Sequence, residues 1–466
     1  MAKVSPMEIY RLLPGTNCKE CGEVSCMAFA SALIERKRTI EDCHPLLDEK
    51  YRDKRKKLEA ILTPPVKEIV IGSGSKAVKI GGEEVMYRHE LTYFNPTALF
   101  FDVHDEMSSD EISERITRID HFIITRIGQD LRLNGVAIRS RSGDPTKFGE
   151  VVLSVMERTD LPLAICALDP ELLEIALEIA VDRRPLIYAA TRDNWEKVGK
   201  LALDHKCPLV ASSPGDMQGL LDLSQDLLDM GLSELVLDIG SYPLGDRYGQ
   251  MLENLAALRR MAIERNLNLV GFPLIGVPMV AWQIEKDDVK ASMMEATLAA
   301  TQMLRYCDIL ILHSLETWSI LPILTLRQNI YTDPRVPIQV DPGVYTIGNP
   351  DEESPVLMTT NFALTYYTVA ADLEASKVDC HLIVVDTEGL AVEPAMAGGK
   401  LTASLVKDVI VSSKVKDLVK HRKIIIPGMA ARISGEIEEA TGWEVMVGPL
   451  DSSRIGGYLD QNWTVS

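Results

Sequence analysis

The sequence predicts an α/β protein in three parts: a small N-terminal metal-binding domain, a central (β/α)8 barrel and a C-terminal open α/β domain. Three observations carry that reading. Four of the eight cysteines fall within the first 43 residues. From Leu99 to His313, short apolar β-rich runs alternate with helical patterns. Beyond Trp318 the rhythm changes to a second, shorter series of strands and helices.

Cys18, Cys21, Cys26 and Cys43 are spaced C-x2-C-x4-C-x16-C. Three thiolates on a tight loop and a fourth returning from a distance suit the corners of a 4Fe–4S cubane. Zinc sites usually present two short C-x2-C hooks, and the second hook is missing here, although His44 beside Cys43 keeps zinc open. Gly15, Asn17 and Gly22 give the backbone freedom to wrap an inorganic core. Ser25-Cys26 then opens an apolar helical run to Ile34, whose first turn places partial positive charge near an anionic cluster. The other four cysteines, Cys166, Cys207, Cys307 and Cys380, follow no pattern.

A basic stretch, Lys50 to Lys57, leads to Pro64-Pro65, a boundary signal. Residues 67–92 contain Gly72-Ser-Gly-Ser75 and Gly81-Gly82 and read as a β-hairpin linker. The barrel strands are expected at Leu99–Val103, Val136–Ile138, Leu163–Ala167, Leu186–Ala190, Pro208–Ala211, Leu235–Ile239, Leu269–Leu274 and Ile309–His313. Helical patterns such as Pro170–Val181, Asp216–Asp229 and Tyr248–Arg265 lie between them, as a closed TIM-type barrel requires. Its strand ends carry Asp102, His104, Arg139, Asp169, Asp238 and His313, either a ligand site or rim salt bridges. In the last part, strands are expected at Val356–Thr359, Cys380–Asp386, Lys423–Ile426 and Glu444–Val447, with helices at Phe362–Ala375, Leu401–Ile410 and Ala430–Ala440. Ligands of such Rossmann-like sheets sit at the carboxyl ends of the strands. The resulting boundaries are 1–62, 63–92, 93–322 and 323–466.

Composition narrows the function. Charged residues are 25% and hydrophobic ones 46%, which excludes a disordered or collagen-like chain. A net charge of −19 and 6% aromatics speak against nucleic-acid binding. Residues 1–60 hold 12 Lys and Arg against 10 Asp and Glu, which leaves −21 for the remainder. No run of 18 apolar residues suggests a membrane span and the N-terminus lacks a signal-type apolar core, so a cytoplasmic protein is expected.

The order of cysteine motif, eight-unit barrel and C-terminal α/β domain resembles the large (gamma) subunit of the corrinoid/iron–sulfur protein of the acetyl-CoA decarbonylase/synthase system, in its archaeal methanogen-type form. The stretches that carry the resemblance are Pro14-Gly-Thr-Asn-Cys-Lys-Glu-Cys-Gly22, Tyr87-Arg-His-Glu90 and Met358-Thr-Thr-Asn-Phe-Ala-Leu-Thr-Tyr366. The resemblance implies a methyl carrier. A methyl group passes from a methyltetrahydropterin (tetrahydrosarcinapterin or tetrahydrofolate) to corrinoid Co(I) and on to the acetyl-CoA synthase centre, a Co-methyltransferase activity. The 4Fe–4S cluster would reduce Co(II) for reactivation. The implied partners are the small (delta) subunit as a heterodimer, and the carbon monoxide dehydrogenase and acetyl-CoA synthase components. Two other functions stay open: a barrel methyltransferase acting directly on a pterin, and a non-catalytic Fe–S scaffold.

The Asp-x-His-x-x-Gly pattern of His-ligated corrinoid proteins is absent; Asp102-Val-His104 lacks the glycine, and His381 and His421 sit in no ligand motif. Base-off binding is therefore expected, since an axial donor would make cobalt harder to reduce. Thr360 and Asn361 are expected to donate from their side chains, and the first-turn amides of the next helix suit corrin amide oxygens. By resemblance, Asn361, Phe362, Ala363 and Leu364 line the corrin and Thr365 lies near the lower cobalt face without coordinating. Gly389, Gly428, Met429 and Ala430 are the candidates for the tail pocket. Ordinary turn and cap duty is the alternative for each.

Overall fold

In the computed structural model, which describes residues 5–464, the cysteine-rich segment folds around three short helices. These are α1 (Pro6–Leu12), α2 (Cys26–Ile34) and α3 (Arg52–Leu62). Ser5 and Glu8 form a reciprocal capping box on α1, and the Ser25 hydroxyl accepts from Ala28 N at the start of α2. Ile9, Leu13, Phe29, Leu33, Leu46 and Leu58 make the core, and Cys26 and Cys43 are buried among them.

Next comes an antiparallel hairpin, β1 (Glu68–Ile71) and β2 (Val78–Gly81). It is not a linker. Ile69, Ile71 and Ile80 share one core with Phe100, Ala164, Val236 and Ile309 of the barrel. Gly72 lies against Pro162 and Gly81 against Pro273, both of which precede barrel strands. The hairpin thus closes the amino-terminal end of the barrel. Its apolar residues, not the Gly-Ser turn between them, decide its role.

Eight parallel strands close the barrel: β3 (Ala98–His104), β6 (Gly135–Arg139), β7 (Leu163–Cys166), β8 (Leu186–Ala190), β9 (Leu209–Ser212), β10 (Leu235–Asp238), β11 (Leu274–Gly276) and β12 (Cys307–Leu312). Between β3 and β6 run α4 (Ser109–His121) and a two-stranded excursion, β4 (Ile123–Arg126) and β5 (Gln129–Arg132). The outer helices continue as α5 (Pro145–Met156), α6 (Pro170–Ile179), α7 (Trp195–His205), α8 (Met217–Asp229), α9 (Asp246–Ile263), α10 (Ala281–Ile284), α11 (Asp288–Leu304) and α12 (Thr317–Tyr331). The seventh strand departs from expectation. Residues 268–270 form a short 3-10 turn and pairing starts only at Leu274, because Pro273 has no N–H for the ladder.

The C-terminal sheet has the order β13-β15-β14-β16-β17, built from β13 (Gly343–Ile347), β14 (Val356–Thr360), β15 (Cys380–Val385), β16 (Lys423–Ile426) and β17 (Glu444–Val447). All pairs are parallel except β13 with β15, an antiparallel edge strand not anticipated from the sequence. Helices α13 (Ala363–Ala375), α14 (Val392–Ala397), α15 (Ala403–Ser412), α16 (Ser434–Thr441) and α17 (Ile455–Asn462) cover it. The expected helix from Ala430 begins as a 3-10 turn over 428–433 and becomes α-helical at Ser434. Contacts divide the chain into two compact units, one of residues up to Ile123 with Arg132–Thr332, the other of Ile124–Leu131 with Asp333 onward. No helix among the described residues is long and apolar enough to cross a membrane.

The hairpin's place in the barrel core is testable. Ile80→Ala removes a fully buried side chain and is expected to cost about 2–5 kcal/mol. A flexible linker would tolerate the change, and urea unfolding midpoints would then be equal.

Candidate functional site

The cysteine loop has alternating left-handed residues: Gly15 (φ 72), Asn17 (φ 48), Lys19 (φ 65) and Gly22 (φ 82). Left-handed residues at these positions let the chain turn sharply around the cysteines. Asn17 locks the loop onto α2: its Oδ1 accepts from Cys26 N at 2.8 Å and its backbone N–H donates to Cys26 Sγ at 3.4 Å. The Arg38 guanidinium lies against Gly22, where a Cβ would meet Nη2 at 2.6 Å. Burial pushes the Cys43 thiol up, and the nearby Cys21, Cys26 and Cys18 thiols add to the shift. Cys43 is thus near enough to the other three thiols to sense their charge, on a loop that a guanidinium lies against, and four thiols so gathered fit a thiolate-bound cluster. His44 is exposed and faces Glu20 at 3.9 Å. Among the described residues, no three His, Cys, Asp or Glu side chains converge tightly enough for a single metal ion.

A second site lies in the C-terminal sheet. Strand order reverses between β14 and its neighbours β15 and β16, and this is where open α/β sheets bind ligands. Only Leu357 and Ile425 pair across β14 and β16, so the two strands splay at their carboxyl ends. A crevice of about 400 Å³ opens there. Its walls include Met358 and Thr359 from β14, Leu364 and Thr365 from α13, and Val392 and Glu393 from α14. The far wall is Pro427, Met429, Pro449 and Leu450. Gly428 permits that wall, since a Cβ would stand 2.8 Å from Gly448 O. The Thr359 hydroxyl is buried in the lining without a hydrogen-bond partner. An apolar crevice with an orphaned hydroxyl fits a bulky, mostly apolar ligand with polar appendages.

Of the residues expected to touch a corrinoid, Leu364, Thr365 and Met429 line this crevice. Asn361 does not offer its side chain. Its Oδ1 accepts from Thr387 N (2.9 Å), Thr387 Oγ1 (3.0 Å) and Gly389 N (3.0 Å), and its Nδ2 donates to Asp386 Oδ1 (3.0 Å). Asn361 therefore ties the end of β14 to the loop after β15. The first amide of α13, Ala363 N, is taken by Ile338 O, and Ala363 itself is buried. Phe362 is half-buried and bridges Gln339 through its backbone. Thr360 is fully buried, with an unpartnered hydroxyl outside the lining. Gly389 packs against Pro337 and Gln339, and Ala430 belongs to the core. The residues missed from sequence, Thr359, Val392, Glu393 and Leu450, sit one position before or one loop beyond the strand-end segments. Only the observed splay of β14 and β16 reveals them.

At the carboxyl end of the barrel, Asp102 is the hub. It receives Arg139 Nη2 (2.6 Å), Arg115 Nη2 (3.0 Å) and His313 Nδ1 (2.7 Å). Burial alone would raise its pKa, but the His313 hydrogen bond and the surrounding positive charges hold the carboxyl well below the usual carboxylate range. Asp238 is buried against Tyr188 and Ser212, each at 2.8 Å, and burial pushes its pKa up. Asp169 caps α6. His104 contacts Arg141 at 3.2 Å. These groups answer one another within the rim.

With this geometry in view, the chain can be compared with known proteins. A family described as CO dehydrogenase/acetyl-CoA synthase delta subunit matches residues 68–459, and one described as an Fe-S cluster matches residues 13–45. The acetyl-CoA decarbonylase/synthase complex subunit gamma of Methanothermobacter thermautotrophicus is 47% identical over 98% of this chain and 99% of its own length. The chain belongs to this gamma-subunit family. Gamma subunit 1 of Methanosarcina thermophila is 45% identical over 98% of both chains. The gamma subunit of Archaeoglobus fulgidus has the same identity and coverage. Among solved structures, a dihydropteroate synthase from Thermus thermophilus is 16% identical over 51% of this chain and 95% of that one, with a TM-score of 0.37. In this chain the delta-type match begins at residue 68, beyond the cysteine segment, which carries its own match. The chain is thus a subunit of a complex with an Fe–S head on a barrel and a terminal sheet domain.

Asn361→Ala would leave two buried amides without acceptors and is expected to cost about 3 kcal/mol. The loss should appear as a lower thermal midpoint and faster amide exchange at Thr387 and Gly389. An unchanged exchange pattern would contradict the locking role.

Proposed function

We propose that this chain is the cluster-bearing, corrinoid-carrying subunit of its complex, a methyl carrier that takes a methyl group from a methyltetrahydropterin and delivers it to the acetyl-CoA synthase centre. The observation that carries this reading is the coexistence, in one chain, of a four-cysteine segment and an apolar crevice at a sheet switch point. When bound, the corrinoid supplies a cobalt that accepts and releases the methyl group, and a 4Fe–4S cluster supplies the electron that restores Co(I). Cys18, Cys21, Cys26 and Cys43 would hold the cluster, with the loop amides and Arg38 offsetting its charge. Leu364, Met429 and Leu450 would exclude water from the crevice, and Thr359 and Thr365 would meet polar groups of the ligand.

Base-off binding is supported by where the imidazoles lie. The crevice lining contains no histidine. His381 stands at the amino end of β15, and His421 precedes β16, bonded to Ser354 O at 2.9 Å. Both are at the opposite ends of their strands from the crevice. The methyltransferase assignment, the pairing with a small delta subunit and the approach to carbon monoxide dehydrogenase and synthase components belong to the same proposal.

Metal analysis of the reconstituted full chain tests it. About four iron and one cobalt per chain are expected. Cys26→Ala should lose the iron and its visible absorption while keeping the cobalt. Iron without cobalt or corrin absorption, after incubation with corrinoid, would defeat the methyl-carrier reading.

A further inference from the structure

The opposite, amino-terminal end of the barrel holds a cavity that neither the cluster nor the crevice uses. It measures about 250 Å³ and lies between residues 83–93, α9, the end of α11 and α12. Glu83 is 6% exposed, and neither of its carboxylate oxygens has a hydrogen-bond partner. Arg259 is 2% exposed, with Nε and Nη1 also unpartnered. Both residues line the cavity. Arg259 is held by its third nitrogen, Nη2, which donates to Asp308 at 2.5 Å and to Tyr306 O at 2.7 Å. The guanidinium–Asp308 pair is therefore neutral overall, and Glu83, when ionised, has no ion-pair partner of its own.

Phenol rings complete the lining: Tyr87, Tyr93, Tyr306 and Tyr331. Hydrogen bonds and a ring contact hold the wall. Tyr93 donates to Met86 O at 2.6 Å, Arg88 donates to the carbonyls of Asn329 and Thr332, and Tyr87 stacks on His89 at 5.8 Å. Tyr87 is 50% exposed and forms the mouth. From the outside, Arg36 clamps the same segment, bonding Gly82 O at 2.6 Å and Glu84 at 2.8 Å.

Buried acceptors and donors left open together are costly unless something fills them. We propose that this cavity is a binding site for a small organic cation with two adjacent N–H donors, an amidinium or guanidinium-like head, seated on Glu83 among the tyrosine rings. Such a head matches a carboxylate bidentately, and phenol faces attract cations in a desolvated pocket. The free Arg259 N–H groups would take an acceptor atom adjacent to that head. Without a cation, burial and the nearby Asp308 push the Glu83 carboxyl up to about 8, with Arg259 and Arg36 opposing and Glu84 adding to the rise. Glu83 also bears on the Tyr93 and Tyr331 hydroxyls, whose own pKa values burial raises.

Benzamidine is the probe, because it stays cationic from pH 6 to 9. Calorimetric titration into the full-length protein should show saturable binding. The affinity should rise about tenfold per pH unit from pH 6 to 8 and level off above, with one proton released per site at the low end. Glu83→Gln should weaken binding at pH 8.5 by at least about tenfold, and Tyr87→Ala, at the exposed mouth, should weaken it less. Glu83→Gln also has a readout without ligand. A carboxyl with a raised folded pKa contributes stability that is complete below its unfolded value and lost as pH rises through the folded value. The melting temperature of Glu83→Gln relative to the wild type should therefore climb between pH 5 and pH 9. No binding to the wild type at pH 8.5, pH-independent binding, or equal binding by Glu83→Gln would each overturn the site.

Discussion

A parallel strand has two faces to bury and two edges to pair, and this requirement organises nearly everything in the chain. The barrel meets it by closing eight strands on themselves, so that the strands are buried almost throughout and no edge remains. Closure leaves two open ends. A hairpin of isoleucines fills one, and a lattice of charges around Asp102 ties the other. The C-terminal sheet cannot close with so few strands. It ends instead in an antiparallel edge strand, and its unresolved space becomes a crevice.

The two ends of the barrel show how environment decides what a carboxylate becomes. Asp102 and Glu83 are both removed from water. Asp102 is met by two guanidiniums and an imidazole, so its charge is kept. Glu83 stands beside Arg259, which already answers Asp308, so its charge is disfavoured. Burial is common to both; the number of free counter-charges is what differs.

Much of this organisation was legible in the residues. Strand and helix periodicity located the barrel, because alternation on this scale has few other solutions. The thiol spacing located the N-terminal site, because ligands must lie on a short loop plus one return. What escaped was anything that depends on pairing between distant segments. The strand at Leu274 was misplaced by five residues because the apolar run before Pro273 is as hydrophobic as a strand. The edge strand Gly343–Ile347 is half exposed and lacks a strong pattern. Asn361 reads as a donor at a strand end, yet four of its side-chain hydrogen bonds go to a loop 25–28 residues away. The hairpin 123–132, inserted into a barrel repeat, is polar and short and has no periodic signal.

The splay between β14 and β16 has a consequence for how the terminal domain holds together. One residue pair, Leu357 with Ile425, is the whole backbone ladder across that line. On one side stand β13, β15 and β14; on the other stand β16 and β17. The ladder thus works like the short spine of a book, and most of the union between its covers is side-chain packing by residues such as Met358, Ile383 and Ile426. A molecule lodged in the opening touches both covers at once. Its binding would tie the two leaves together and raise the stability of the domain as a whole.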